Sequence, residues 1–138
     1  MTNEFVLEAI TREFPESVIS HDTPYDFLTL EIKKEDIKKV IHHLRDSSLQ
    51  INFLTDICGI HYPETPEKEI GVIYHLHNMM TNFRIRLKVF MTRENAEVDS
   101  MTDLYAGANW MERETFDFYG IKFKGQPDLR VILNMEDL

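Results

Sequence analysis

A chain of 138 residues that is 43% hydrophobic and 28% charged has an ordinary globular composition, and its length predicts one domain around a single core. A formal net charge of −9 repels phosphate backbones, and no Lys/Arg-rich stretch with interleaved aromatics offsets it, so nucleic acid is excluded as the expected partner. Cys58 is the only cysteine, which excludes an internal disulfide and denies an iron–sulfur cluster its four thiolates.

In chain order, residues 3–14 predict a helix. Asn3 is the expected cap, Val6, Ile10 and Phe14 recur at helical spacing, and Pro15 stops the run. Ser17 to Ser20 and Tyr25 to Ile32 predict two strands of a hairpin turning at Asp22, Thr23 and Pro24. Residues 35–46 predict an amphipathic helix, with Ile37, Val40, Ile41 and Leu44 inward and Lys34, Lys38, Lys39 and Arg45 toward water; Ser47 and Ser48 end it. Leu49 to Ile60 is nearly continuous in apolar character and predicts a strand in the middle of a sheet. After a charged loop from Tyr62 to Glu69, Val72, Tyr74 and Leu76 alternate on one strand and Ile85, Leu87, Val89 and Met91 on the next, an antiparallel hairpin. The outward side of that second strand carries Arg84, Arg86 and Lys88. It reads as a solvated face first and as a contact patch for an acidic partner second.

Ser100 and Asp103 resemble a capping box opening a short helix, and a further helix is expected from Ala108 to Tyr119 with Gly120 as its left-handed stop. The predicted class is α+β, in the order α-β-β-α-β-β-β plus a helical C-terminal section. One mixed sheet with its main helices on a single face satisfies that order, and the strand reached through the second helix is expected to run parallel to its partner. No apolar run approaches the ~18 residues of a bilayer span. Met1 to Glu8 lacks the basic and apolar stretches of a signal peptide, so the chain is expected to stay in the cytosol.

Most catalytic motifs are missing. The five glycines, at 59, 71, 107, 120 and 125, form no phosphate cradle, and there is no HExxH, CxxC or nucleophile elbow. His75 and His77 share one face of a predicted strand, and His61 on a neighbouring segment completes a possible three-nitrogen metal site. Alternating polar residues on an open sheet face are the simpler account. His42 and His43 are adjacent on a helix and point about 100° apart, which precludes chelation.

The most unusual stretch is Asn109 to Leu133. It crowds Trp110, Phe116, Phe118, Tyr119 and Phe123 among Glu112, Arg113, Glu114, Asp117, Asp128 and Arg130. On a helix Arg113 reaches Asp117, and Glu114 lies over Trp110. Glu112 and Asp117 stand about 140° apart, with no apolar pocket expected around either, so an ion network is a better reading than acid–base catalysis. Such a helix is covered either by a partner or by the chain's own tail.

The run Glu112, Arg113, Glu114, Asp117, Phe118, Tyr119, Gly120, Ile121, Phe123, Gly125, Pro127, Asp128, Leu129, Arg130, Ile132 and Leu133 resembles the signature of the C, or 30 kDa, subunit of bacterial NADH:quinone oxidoreductase, respiratory complex I. The stretches FLTDICGIHYP, YHLHNMMTNFRIRLKVF and VDSMTDLYAGANW are similar to the same family. The likeness is strong over residues 50–133 and extends to the N-terminal third only through element order. Gln126 stands where the family usually has His and Val131 where it usually has Arg, so no role of that His is carried over. The family continues beyond the position of Leu138 with a basic and aromatic tail, which the resemblance implies is missing here.

What the resemblance implies is a cofactor-free subunit of the peripheral arm, on the cytoplasmic face of the inner (plasma) membrane. It would dock to the 49 kDa (D) subunit near the quinone site, alongside neighbouring arm subunits. The complex would hold NAD, FMN, iron–sulfur clusters and quinone and, as a proton-pumping translocase, pass electrons from NADH to quinone. The isolated chain is expected to be non-catalytic, with no catalytic, cofactor or metal residue of its own. The expected signature and partner-interface residues are Trp110, Glu112, Arg113, Glu114, Asp117, Gly120, Phe123, Gly125, Pro127, Asp128 and Arg130. The alternatives are the homologous subunit of a membrane-bound hydrogenase or other donor:quinone complex and, more remotely, a metal enzyme built on His61, His75 and His77.

Overall fold

The computed structural model describes residues 1–126, so the expectations placed on Pro127, Asp128 and Arg130 lie outside the described residues. Helix α1 spans Asn3–Glu13 and is capped not by Asn3 but by Thr2, whose hydroxyl accepts from Phe5 N–H at 3.1 Å. Asn3 is already inside the helix, and its amide donates instead to the Asp26 carbonyl at 3.0 Å. Strands β1 (Val18–Asp22) and β2 (Leu28–Ile32) form the expected antiparallel pair, joined through a short 3-10 turn. Helix α2 (Ile37–Asp46) buries Ile37, Val40, Ile41 and Leu44. Its outward side is less free than predicted: Lys38 pairs with Asp103 at 2.9 Å, and Arg45 donates to the Leu104 carbonyl at 2.7 Å.

Strands β3 (Phe53–His61), β4 (Ile70–Asn78) and β5 (Phe83–Met91) complete a mixed five-stranded sheet in the order β1-β2-β5-β4-β3. The β4–β5 hairpin is antiparallel, as predicted, from Ile70 opposite Met91 to Asn78 opposite Phe83. Its turn is set by Asn78, whose side-chain oxygen accepts from Met80 and Thr81 N–H at 2.9 and 3.0 Å.

Two expectations about sheet order are corrected. The strand reached through α2 is β3, and it sits at an edge rather than in the middle; the parallel pair is β2 with β5. The β4–β5 hairpin folds back into the gap that the crossover leaves, so β5 takes the interior position. The apolar run of β3 misleads because the register shifts between Leu54 and Asp56, leaving Thr55 as a bulge. A bulge resets the inward–outward alternation, and only Leu54 and Ile57 of β3 are buried. Inward residues of β2, β4 and β5 join Val6 and Ile10 of α1 and the apolar stripe of α2 in one core.

The C-terminal section holds more strand than its sequence suggested. β6 (Glu97–Asp99) and β7 (Lys122–Lys124) pair in parallel as a small second sheet, with helix α3 (Ala108–Tyr119) as the connection between them. No helix opens at Ser100. Residues 101–107 run as turns: Ser100 donates to Glu112 and its oxygen accepts from Thr102 N–H at 3.1 Å, closing a turn instead of a cap, while Asp103 pairs with Lys38.

α3 lies against β3, with the Tyr119 ring over Gly59. A Cβ there would come within 2.5 Å of the Tyr119 ring. Gly59→Ala is therefore expected to push Tyr119 and the end of α3 outward and cost about 1–3 kcal/mol by overpacking. Urea unfolding of the variant beside the wild type measures it, and an unchanged midpoint would show that the contact is slack.

Candidate functional site

Helix α3 is seated by the face it hides. Ala108, Glu112 and Thr115 recur at i, i+4 and i+7 and are buried. Glu112 is the unusual member, a carboxylate with no solvent exposure. It accepts from the Ser100 hydroxyl at 2.7 Å, from Met101 N–H at 2.6 Å and from the Gln126 amide at 2.8 Å. Those donors come from the loop after β6 and from the residue after Gly125, so one side chain ties α3 to both strands of the small sheet at their shared C-terminal end. Burial pushes the Glu112 carboxyl above its ordinary range, and the three donors oppose that shift. The expectation that neither Glu112 nor Asp117 has dry surroundings is thus corrected for Glu112. Its oxygens are nonetheless taken up by groups of the chain itself, which leaves no room for a substrate.

The helix ends as predicted. Gly120 adopts φ 72°, and its N–H bonds to the Phe116 carbonyl at 2.8 Å. Gly125 also has a positive φ, 90°, which suits glycine after β7. Phe123 is buried in the core. Glu112, Gly120, Phe123 and Gly125 therefore shape the segment from within.

The opposite face of α3 looks outward. Trp110 is 52% exposed and Phe118 70% exposed. The two are eight residues apart on one side of the helix, with Glu114 between them and Asp117 beside them. Arg113 is half-buried, and its Nε has no hydrogen-bond partner among the described residues.

The histidines divide between two sides of the sheet. His75 and His77 stand on the open face, whereas His61 is paired with Ile70, a residue of the core side, and its ring meets Arg93. The three-nitrogen site is therefore not assembled. His77 is hydrogen-bonded to the Asn82 side chain at 3.0 Å, and His42 is paired with Asp46 at 2.9 Å. His43 packs edge-on against Phe14.

Across the bulge a different donor set forms, which sequence spacing missed. Asp56, Cys58 and His75 bring their ligand atoms within 4.8 Å of one another. Arg86 Nε donates to His75 Nε2 at 3.1 Å. Burial, aided by Arg86, lowers the His75 pKa, while burial and Asp56 push the Cys58 thiol up. A cation entering here would have to displace a guanidinium and a tightly held proton. The arrangement favours a neutral, hydrogen-bonded cluster.

Comparison with known proteins decides the family. The model of the family described as "Respiratory-chain NADH dehydrogenase, 30 Kd subunit" matches residues 30–138. The chain belongs to this family. It is 45% identical to the C subunit of NADH-quinone oxidoreductase from Methylobacterium radiotolerans, over 85% of this chain and 54% of the relative. Its identity to the corresponding protein of Sinorhizobium medicae is also 45%, over 84% of this chain and 57% of the relative. The chain thus spans about half the length of the relatives it matches. Among solved structures, a trypsin-resistant fragment (1–134) of Nqo5 superposes with a TM-score of 0.80 at 28% identity, covering 94% of this chain and all of that one. An archaeal respiratory membrane complex, the membrane-bound sulfane sulfur reductase, contains a chain of the same fold, with a TM-score of 0.78 at 21% identity over 97% of this chain and 77% of that one.

In this member of the 30 kDa family the signature residues before Pro127 do two jobs, since some fix α3 from beneath and others stand on its outer side. Glu112→Gln replaces an acceptor oxygen with a donor and strands at least one of the three groups that bond to it. The expected cost is about 1–3 kcal/mol in urea unfolding at neutral pH. The pH dependence has a definite sign, because the native carboxyl holds its proton to higher pH than the unfolded chain does. Its stabilising contribution is complete below the ordinary glutamate value near 4.5 and is lost as pH rises through the native value. The Gln variant should lack that slope, and parallel slopes for both proteins would show that Glu112 does not titrate as described.

Proposed function

We propose that this chain is a cofactor-free, peripheral-arm subunit of an NADH:quinone oxidoreductase, with the outer face of α3 docked onto the 49 kDa (D) subunit near the quinone site. The reading is carried by one observation: an exposed Trp110–Phe118 face stands on a helix whose hidden side is locked by Glu112. Large aromatics left in water on a rigid helix are what an interface core requires, because they bury much area with little loss of side-chain entropy. Arg113, with its Nε lacking a partner among the described residues, and Arg130 are assigned to carboxylates within the chain or across that contact.

The work of such a subunit is positioning. Its only thiol is Cys58, and burial keeps that thiol protonated, so electrons would pass through neighbouring subunits while this chain holds their spacing. Among the described residues no helix is long and apolar enough to cross a membrane. The chain would reach the cytoplasmic face of the membrane through its partners. The 45% identity to C subunits of NADH-quinone oxidoreductases supports NADH, rather than hydrogen or another reductant, as the donor to the complex.

The double variant Trp110→Ala, Phe118→Ala tests this. Both side chains are exposed, so the isolated chain should keep its unfolding midpoint. Loss of two aromatic anchors worth at least about 2 kcal/mol each should strongly reduce co-purification with the 49 kDa subunit and, with it, NADH:quinone reductase activity of the membranes. A variant that assembles and turns over like the wild type would remove the proposal's basis.

A further inference from the structure

The other side of the sheet carries chemistry of a different kind. On the open face, away from the side of the sheet that α3 packs on, β5 presents Arg84, Arg86 and Lys88 at alternate positions. In the register of the hairpin they stand opposite His77, His75 and Ile73 of β4. The Phe27 ring lies under both guanidiniums, with its centroid 5.2 Å from the Arg84 carbon and 4.6 Å from that of Arg86. Lys88 lies over Phe90 at 5.9 Å.

Arg86 is hydrogen-bonded to His75 at 3.1 Å, beside Asp56, but among the described residues none of the three cations forms a direct ion pair. The chain nonetheless carries 24 acidic residues against 15 Lys and Arg. The acids nearest in register are otherwise engaged. Glu31, opposite Lys88, is paired with Lys68 at 2.9 Å, and Asp56, opposite His75, lies beside the Cys58 thiol. In a chain of net charge −9 a solvated face would be expected to carry mixed or negative charge. Here three cations without an ion pair among the described residues are held in line by aromatic rings, which lowers the ordering cost of binding an anion.

We infer that this open sheet face is a second docking surface, occupied by an acidic element of another protein subunit whose carboxylates meet Arg84, Arg86 and Lys88. Alternate residues of a strand are about 7 Å apart, a spacing matched by acids at i and i+4 on a helix, about 6 Å apart. A guanidinium fork fits a carboxylate in bidentate fashion. An anionic membrane surface is the poorer occupant, since attraction to it usually takes a cluster of about 4–8 basic residues, and the net negative charge opposes approach. The subunit would then be held from both sides, by α3 on one and by the sheet on the other. This goes beyond the α3 contact and does not depend on which subunit makes it.

Zero-length carbodiimide coupling in the membrane-assembled complex tests the inference, because it joins an amine only to a carboxylate in direct contact. Mass spectrometry should find Lys88 linked to an Asp or Glu of another chain, and high salt or the variant Arg84→Glu, Arg86→Glu should abolish the link. In parallel, acetylation of Lys88 by an activated ester should be several-fold slower in the complex than in the isolated chain. Equal acetylation in both states would overturn the inference. So would protection without a carboxylate link that is relieved by removing lipid, which would assign the face to headgroups instead. Either failure leaves the Trp110 and Phe118 test untouched, because that test reads the opposite side of the molecule.

Discussion

A single buried carboxylate organises the C-terminal part of this protein. Glu112 lies on the hidden side of α3 and gathers donors from Ser100, Met101 and Gln126, residues that flank the two strands of the small parallel sheet. Removing a carboxylate from water costs several kcal/mol unless its lone pairs are filled, so the loop, the helix and the residue after Gly125 must come together at once. Much of the neighbouring geometry follows from that demand. Ser100 donates to Glu112 and accepts from Thr102 N–H in a local turn, and residues 101–107 turn back, held from outside by Lys38 and Arg45 of α2.

Fixing one face of α3 fixes the direction of the other. Because the helix is pinned by Glu112 and by the close approach of Tyr119 to Gly59, Trp110 and Phe118 are presented at a set angle rather than on a mobile arm. Pre-organisation of this kind suits the docking role proposed for α3, since little ordering entropy remains to be lost when a partner arrives. The open sheet face is built on the same logic with different chemistry, its cations steadied over Phe27 and Phe90.

Much of the fold was legible in the residues. The α2 stripe of Ile37, Val40, Ile41 and Leu44, the alternation along β4 and β5, and the Gly120 stop are all legible in place, because each depends on neighbours only a few positions away. The family resemblance rests on a similarly local run, the segment that surrounds Glu112. The exposed aromatics of α3 were anticipated as a group, but helical spacing could not assign which side was hidden. Glu112 and Trp110 are two residues apart, and only the position of Ser100 and Met101 decides which of them turns inward.

By itself the sequence determined helices α1, α2 and α3, the β4–β5 hairpin, the scarcity of thiols and the family, all of which follow from residue type and short-range period. Only the tertiary structure decided that β3 lies at the sheet edge and that Thr55 breaks its alternation, so that Asp56 rather than His61 comes to stand beside His75. It likewise decided that Lys122 to Lys124 pairs with Glu97 to Asp99, and that a carboxylate without exposure holds the signature helix. These are long-range pairings, fixed by competition among strands and by the cost of an unsatisfied buried charge, and local periodicity carries no record of them.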